Sequence, residues 1–281
     1  MPPGPIPVIK GHGTGNDFIL LPDLDGQIEL TAQMVADLCD RRFGIGGDGV
    51  LRIVRSAADD DPAATGAEIF MDYRNSDGST AQMCGNGIRV FAAYLVEQGL
   101  ADPSGMDIAT RGGVRHVVRR DDGLYDVAMG PAQELPGVPS VAVGRMAFPA
   151  SAIAMPNPHA VVFVGSLDAA GPLDDPPDVS PDGFFPEGAN VEFVQEIAPG
   201  HIAMRAHERG SGETLSCGTG ACAAAYVARR RPGAQHDGPM RVDVPGGTLL
   251  VDEADDGMHL IGPAEIVAEG ALSPGWVARW Q

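Results

Sequence analysis

Two cysteines, Cys84 and Cys217, each stand directly before a Gly-polar-Gly turn and a run of helix-forming residues. The turns are Gly85-Asn86-Gly87 and Gly218-Thr219-Gly220. A thiol at a helix N-terminus faces the positive end of the macrodipole, which favours the thiolate. The glycines let backbone N–H groups approach an anion, and first-turn amides, lacking intrahelical acceptors, can hold a carboxylate or phosphate. The chain therefore predicts one device built twice: a tuned thiol beside an anion cradle. Two such devices turned on one ligand suit proton removal on one side of a carbon and proton delivery on the other. Proton loss next to a carboxylate is difficult because the carbanion is poorly stabilised, and helix-start amides gripping that carboxylate would stabilise the developing charge. Either segment alone reads equally well as a buried cysteine beside a packing glycine. The twin occurrence favours chemistry.

His159 and Glu208 are the ionisable groups expected beside the thiols. His159 follows Asn157 in a Pro-framed turn, and Glu208-Arg209 precedes the Gly210-Ser211-Gly212-Glu213-Thr214 stretch that leads into Cys217. Arg209 supplies a fork suited to a carboxylate. Asn16, Asn75, Asn86, Asn157 and Asn190 all fall in Gly- or Pro-containing turns. Singly each is a turn former; together they would make a polar, neutral cage for a zwitterionic amino acid.

The elements that must position these groups are short strands around two helices. Val8–Lys10 and Ile19–Leu21 read as strands either side of a Gly-rich turn, and Thr31 as the N-cap of a helix over about 32–40. Residues 50–54 and 69–74 read as strands on either side of a surface loop over 56–67, and the first Cys-headed helix follows. Further strands are expected over 114–119, 125–129, 160–164, 191–195 and 202–206, with a hairpin over 242–252. The Pro- and Gly-containing region 130–150 is expected to cross between domains, and 168–188 to be a loop. The halves share organisation rather than detailed sequence.

At 281 residues and 29.1 kDa the chain has room for two domains. A net charge of −19 offers no basic stripe for phosphates, which argues against nucleic acid as a partner. The Arg229-Arg230-Arg231 cluster reads as cations opposing a helix C-terminal dipole. No stretch approaches the ~20 apolar residues of a membrane span, and the N-terminus lacks the pattern of a signal peptide. Four cysteines in a chain this long are too few for a disulfide scaffold, so reduced thiols in the cytoplasm are expected. No His/Cys cluster has zinc spacing, so no metal site is expected.

Seven segments, in order, resemble the diaminopimelate epimerase family: Gly13–Phe18, Arg74–Ser79, Cys84–Gly87, Asn157-Pro158-His159, Asn190-Val191, Glu208-Arg209-Gly210 and Gly212–Gly220. Any one is weak; the ordered set, spanning nearly the whole chain, is highly specific. The resemblance implies an α+β fold of two similar domains, each a curled mixed β-sheet wrapped around a central α-helix, with the active site in the cleft between them. It places the N-terminal half at 1–129, with 264–281 returning to it, and the C-terminal half at 130–263. It implies cofactor-independent two-base conversion of LL-2,6-diaminopimelate to the meso isomer, for lysine and peptidoglycan synthesis, in an enzyme that often forms homodimers. By motif, Cys84 and Cys217 are the acid/base thiols, tuned by His159 and Glu208. Asn16, Asn75, Gly85, Asn86, Asn157, Asn190, Glu208, Arg209, Gly218 and Thr219 are expected to contact substrate. Two departures stand out: Gly49 where many members have Gln, and Pro156 where many have Gly.

The nearest alternative is another isomerase of the same fold, such as a proline racemase or a phenazine-biosynthesis-type isomerase. Glu208-Arg209 and the asparagine set suit a substrate with a second amino-acid head better. A thiol–disulfide redox protein would be expected to carry a CxxC pair, which is absent. A passive amino-acid-binding protein would not need two thiols at helix starts.

Overall fold

The computed structural model describes residues 5–234 and 236–280. Its contacts divide the chain into two units, Met1–Val127 with Pro263–Gln281, and Ala128–Gly262. No helix among the described residues is long and apolar enough to cross a membrane.

In the first unit seven strands lie side by side in chain order: β1 (Pro7–Gly13), β2 (Asn16–Pro22), β3 (Gly49–Arg55), β4 (Ile69–Asn75), β5 (Met106–Ala109), β6 (Arg115–Arg119) and β7 (Tyr125–Gly130), which runs on past Val127. Successive pairings are antiparallel, parallel, antiparallel, parallel, antiparallel and antiparallel. Helix α1 (Ala32–Cys39) joins β2 to β3, and the Thr31 hydroxyl caps it by accepting the Met34 N–H at 3.2 Å. Helix α2 (Gly85–Glu97) joins β4 to β5. Every residue from Gly85 to Leu95 is buried, so this helix cannot lie on a surface. The sheet curls around it, with β1, β2 and β3 against its sides.

The second unit repeats the plan. After β8 (Gln133–Glu134) and β9 (Ser140–Val143) come β10 (Met146–Met155), β11 (Asn157–Phe163), β12 (Asp178–Ser180), β13 (Asn190–Ala198), β14 (His201–Glu208), β15 (Gly212–Thr214), β16 (Met240–Val244), β17 (Gly247–Ala254) and β18 (Gly257–Gly262). Strands β10, β11, β13, β14, β16, β17 and β18 pair in that order with the same alternation found in the first unit. Helix α3 (Gly218–Arg230) leads from β14 and β15 to β16, as α2 leads from β4 to β5. Its alanine-rich face, Ala221 and Ala223–Ala225, is fully buried and lets strands approach on several sides. The final strand, β19 (Glu265–Ala271), belongs to the first unit and pairs antiparallel with β1.

Several elements differ from expectation. Region 130–150 holds β8, β9 and the start of β10 rather than an irregular crossing, and 168–188 holds β12. Strands β5, β15, β18 and β19 were not expected. These are short or carry Ala and Gly, so their apolar alternation is weak, and pairing with neighbours rather than local pattern makes them strands.

Candidate active site

In each unit the expected functional residues gather at one end of the sheet. Register pairs Phe18 with Gly49 and Gly49 with Asn75, so the starts of β2 and β3 and the end of β4 share an edge. In the second unit His159 pairs with Asn190, and Val191 with His207, so the starts of β11 and β13 lie beside the end of β14. A helix with a cysteine N-cap begins after each of these edges.

Cys84 is the N-cap of α2, and its Sγ accepts the Gly87 N–H at 3.4 Å. Its thiol lies 3.6 Å from Asn16 Oδ1, which also accepts from the Asn86 amide at 3.2 Å. Asn16 is held in turn: its Nδ2 donates to Asp48 Oδ2 at 2.6 Å. Arg41 grips Asp48 at 2.8 Å and forks onto Asp17 at 2.6 and 3.0 Å. Burial pushes the Asp17 carboxyl up, but its bonds from Arg41 and Lys10 outweigh that and hold it well below the usual carboxylate range. From beneath, the fully buried Arg89 donates to Asn86 Oδ1 at 2.9 Å, Gly85 O at 3.0 Å and Thr14 Oγ1 at 3.3 Å. The helix start after Cys84 is thereby tied to the turn that leads into Asn16.

Asn75 stands at the end of β4, where its amide donates to the Ser79 hydroxyl at 3.0 Å. Below it Asp72 binds Arg74 and Arg111 at 2.7 and 2.6 Å, while Arg111 also donates to the Tyr73 carbonyl. Gly49 leaves no room for the Gln expected by family pattern: a Cβ there would lie 2.5 Å from Arg74 O and 2.8 Å from the Tyr73 ring.

Cys217 is the N-cap of α3, its Sγ accepting the Gly220 N–H at 3.3 Å with the Thr219 hydroxyl at 3.7 Å. The Asn190 amide approaches the same sulfur at 4.0 Å, and Asn190 Oδ1 accepts the Arg209 backbone N–H at 2.9 Å. Glu208 accepts the Thr214 hydroxyl at 2.5 Å. The expected lowering of the thiol pKa by the helix start is overridden here. Burial, then the carboxylates of Glu208 and Glu192, push the Cys217 thiol well above its ordinary value, and the Gly220 N–H and Thr219 hydroxyl offset this only in part. In this state Cys217 carries its proton.

His159 is fully buried, with Nδ1 2.6 Å from Glu192 Oε1 and Nε2 3.0 Å from Asn157 Oδ1. Pro156 turns β10 into β11 at φ +30°, which glycine reaches freely and a proline ring opposes. The Arg209 guanidinium rests on the Glu187 carbonyl at 3.0 Å and lies 3.7 Å from its carboxylate. It also borders a cavity of about 630 Å³ whose walls include Phe184, Phe185 and His207, but neither Cys217 nor His159.

The structure thus brings Cys84 together with Asn16, Gly85 and Asn86, and Cys217 with Asn190, Glu208, Gly218 and Thr219. Asn157 and His159 reach the Cys217 helix start through Glu192. Sequence reading missed Asp48, Arg89 and Glu192. The signals were there: a lone cation in the apolar run Ile88–Leu95, and a lone carboxylate in Val191–Val194, two residues from Asn190 and so on the same face of the strand.

Residues 8–135 and 151–267 match the family model of diaminopimelate epimerase. The diaminopimelate epimerase of Streptomyces coelicolor is 51% identical over 282 residues, covering 97% of this chain and 97% of its own. That of Thermobifida fusca is 50% identical, covering 93% of this chain and 96% of its own. Similar solved structures include a phenazine biosynthesis protein of the PhzF family from Bacillus anthracis (TM-score 0.65, 16% identity, 96% of this chain and 99% of that one). Another is a hydroxyproline epimerase from Agrobacterium vitis (TM-score 0.61, 16% identity, 96% and 93%). At such identities these two bear on the fold alone. The sequence matches run through both units and include both cysteine-capped helix starts, and on that ground the chain belongs to the diaminopimelate epimerase family.

Proposed function

We propose that this protein epimerises LL-2,6-diaminopimelate to the meso isomer by two-base proton exchange at one α-carbon, with Cys84 and Cys217 as the two bases. One observation carries the residue assignment: each unit ends a strand, caps a buried helix with a cysteine, and aims the N–H of the third helical residue at its sulfur. The thiolate on one side takes the α-proton, and the thiol on the other returns its own proton to the opposite face. The sulfurs exchange protonation states and the substrate gains and loses one proton, so the scheme needs no cofactor. Cys217, held as the thiol, is the donor in the resting enzyme, and the return reaction uses it as the base.

The remaining site residues divide the work. First-turn amides at Gly85-Asn86 and Gly218-Thr219 bind the reacting carboxylate as negative charge builds on it. Asn16, positioned by Asp48, offers its carbonyl oxygen to the Cys84 thiol, and Asn190, positioned by the Arg209 backbone, directs its amide N–H at Cys217. Glu208 sets the charge around Cys217, and His159 is the second tuning group. Arg209, with Asn75 and Asn157, reads the distal amino-acid head, the substrate carboxylate replacing Glu187 on the guanidinium fork. A cytoplasmic location suits the product's use in lysine and peptidoglycan synthesis, and a homodimer is the assembly to test first.

Cys84→Ala and Cys217→Ala should each abolish epimerisation with the fold retained, as followed by circular dichroism and by product analysis in deuterated water. Wild-type protein should place one deuterium at the inverted α-carbon. Epimerisation at the normal rate by either variant would sink the assignment.

A further inference from the structure

The two units offer an internal comparison. By strand register Phe18 and Leu51 of the first unit occupy the places of His159 and Glu192 in the second: Phe18 and His159 lie on β2 and β11, opposite the first residues of β3 and β13, and Leu51 and Glu192 lie two residues farther on. Gly87 and Gly220 correspond as the third helical residues. The surroundings of these glycines bear this out. A Cβ on Gly87 would touch Leu51 and the Phe18 ring, each at 3.4 Å; one on Gly220 would lie 2.5 Å from Glu192 Oε1 and 3.0 Å from Cys217 Sγ. One fold position is thus floored by an apolar pair under Cys84 and by an imidazole–carboxylate pair under Cys217. All four side chains are fully buried.

The apolar pair shows what the fold itself requires at this place. Burying a carboxylate and an imidazole costs solvation that Leu and Phe do not forfeit. The cost is incompletely recovered, because Glu192 Oε2 is buried with no hydrogen-bond partner among the described residues. A group that adds nothing to folding that an apolar side chain would not add better is retained for its charge. We infer that Glu192 is a positioning residue of the reaction, acting through its bond to His159 Nδ1 and through its negative charge beside Cys217. Its carboxylate offers Nδ1 an acceptor and fixes the ring, with Nε2 held at Asn157 Oδ1. The same charge, entering from β13 while Glu208 enters from the end of β14, opposes thiolate formation at Cys217. The titratable group facing Glu192 itself is His159 of β11. Cys84 has Leu51 in the corresponding place, so this strand position, together with Glu208 at the end of β14, sets the charge around one thiol apart from that around the other.

This inference rests on reading Cys217 as an acid/base thiol, but its first test does not. In a Cys84→Ser background, ultraviolet thiolate absorbance is titrated against pH, with Cys84→Ser/Cys217→Ser as the blank that removes the other thiols. Glu192→Gln keeps the size and the acceptor for Nδ1–H while deleting the charge. It should lower the Cys217 midpoint by one pH unit or more, the scale expected for a lost charge a few ångströms away. With Cys84 intact, Glu192→Gln should lower kcat about tenfold or more, change KM far less, and move the kcat–pH profile to lower pH. Should Glu192→Gln fail to fold, His159→Phe/Glu192→Leu, which copies the first unit's pair, carries the same titration and should show the same lowered midpoint. An unchanged midpoint in the folded variant overturns the electrostatic role. A lowered midpoint with wild-type kcat at every pH overturns the role in the reaction while leaving the epimerase reading intact. Failure of the assignment of Cys217 itself would show instead as normal epimerisation by Cys217→Ala.

Discussion

Alanine at Gly87 and alanine at Gly220 should have opposite effects, although the two glycines hold the same place in the repeated fold. Both are third residues of a buried helix and neither takes a positive φ, so alanine suits the backbone at either site. In an interior helical position the exchange gains up to about 1 kcal/mol, and roughly half of that in the first turn. At position 87 the new methyl meets Leu51, Phe18 and Cys84 at 3.4–3.5 Å, ordinary contact that needs no movement. Gly87→Ala should therefore melt about 1–2 °C higher than wild type and keep its activity within about threefold. At position 220 the methyl would lie 2.5 Å from Glu192 Oε1. That is roughly 1 Å inside normal contact, and Glu192 is enclosed on all sides. Overpacking of this kind costs about 1–3 kcal/mol, which exceeds the helical gain. Gly220→Ala should melt several degrees lower, and the displaced Glu192 should pull His159 and Cys217 out of place. A shift of roughly 1 Å in a catalytic group corresponds to a loss on the order of 10²-fold in kcat. Differential scanning fluorimetry and a coupled diaminopimelate assay read both quantities on both variants. Gly220→Ala as stable and as active as Gly87→Ala would refute the unequal floors.

Arg209→Met should erase most of the preference for diaminopimelate over lysine, expected in wild type at about 10³-fold in kcat/KM, because lysine lacks the distal carboxylate that the fork reads. Full preference retained by the variant would assign that carboxylate to another residue. Asp72→Asn should destabilise the protein by about 3 kcal/mol at pH 7, since it breaks a buried ion pair. Burial alone would raise the Asp72 pKa from 3.8, but bonds from Arg74 and Arg111 win and hold it lower, so its stabilisation is complete above pH 4 and fades as pH falls through the depressed value. Melting temperatures of wild type and Asp72→Asn should accordingly lie farthest apart near neutrality and converge in acid; a gap that widens below pH 4 would contradict this.

Helices and site were legible in the sequence to different depths. Thr31 as a cap, the apolar face of α1 and the two Cys-headed helices follow from local chemistry, and the structure shows each within a residue or two. Strands β8, β9 and β15 were not legible, because nothing in Gln133-Glu134 or Gly212–Thr214 distinguishes a strand from a turn until its partner is known. Motif residues such as Cys84, Asn157 and Glu208 could be named because their turns are distinctive. Arg89 and Glu192 carried only the weaker signal of a lone charge in an apolar run, and their roles come from partners distant in sequence, Thr14 for Arg89 and His159 for Glu192. The expected acidity failed at Cys217 for the same reason: a dipole argument uses only the residues that follow, whereas burial of the thiol and then the carboxylates arriving from β14 and β13 reverse it.

A two-base epimerase faces a conflict that a duplicated fold can resolve. The two stereoisomers differ only in the face from which a proton leaves, so the groups serving the two faces should be chemically alike, and duplicate cysteine-capped helix starts meet that demand. Yet in any one catalytic state the sulfurs must differ by a proton. Two identical environments would leave both as thiols or both as thiolates for much of the time, and neither form can complete an exchange. An inequality large enough to assign the proton, but carried by a buried side chain rather than by the cysteine or its first-turn amides, satisfies both requirements. The floor under Gly220 has that character. Glu192 differs from Leu51 in charge, approaches the sulfur from within the sheet, and leaves the Gly220 N–H on Cys217 as it is at Cys84. The cysteine-capped helix start stays common to both units while the buried imidazole–carboxylate pair is confined to one.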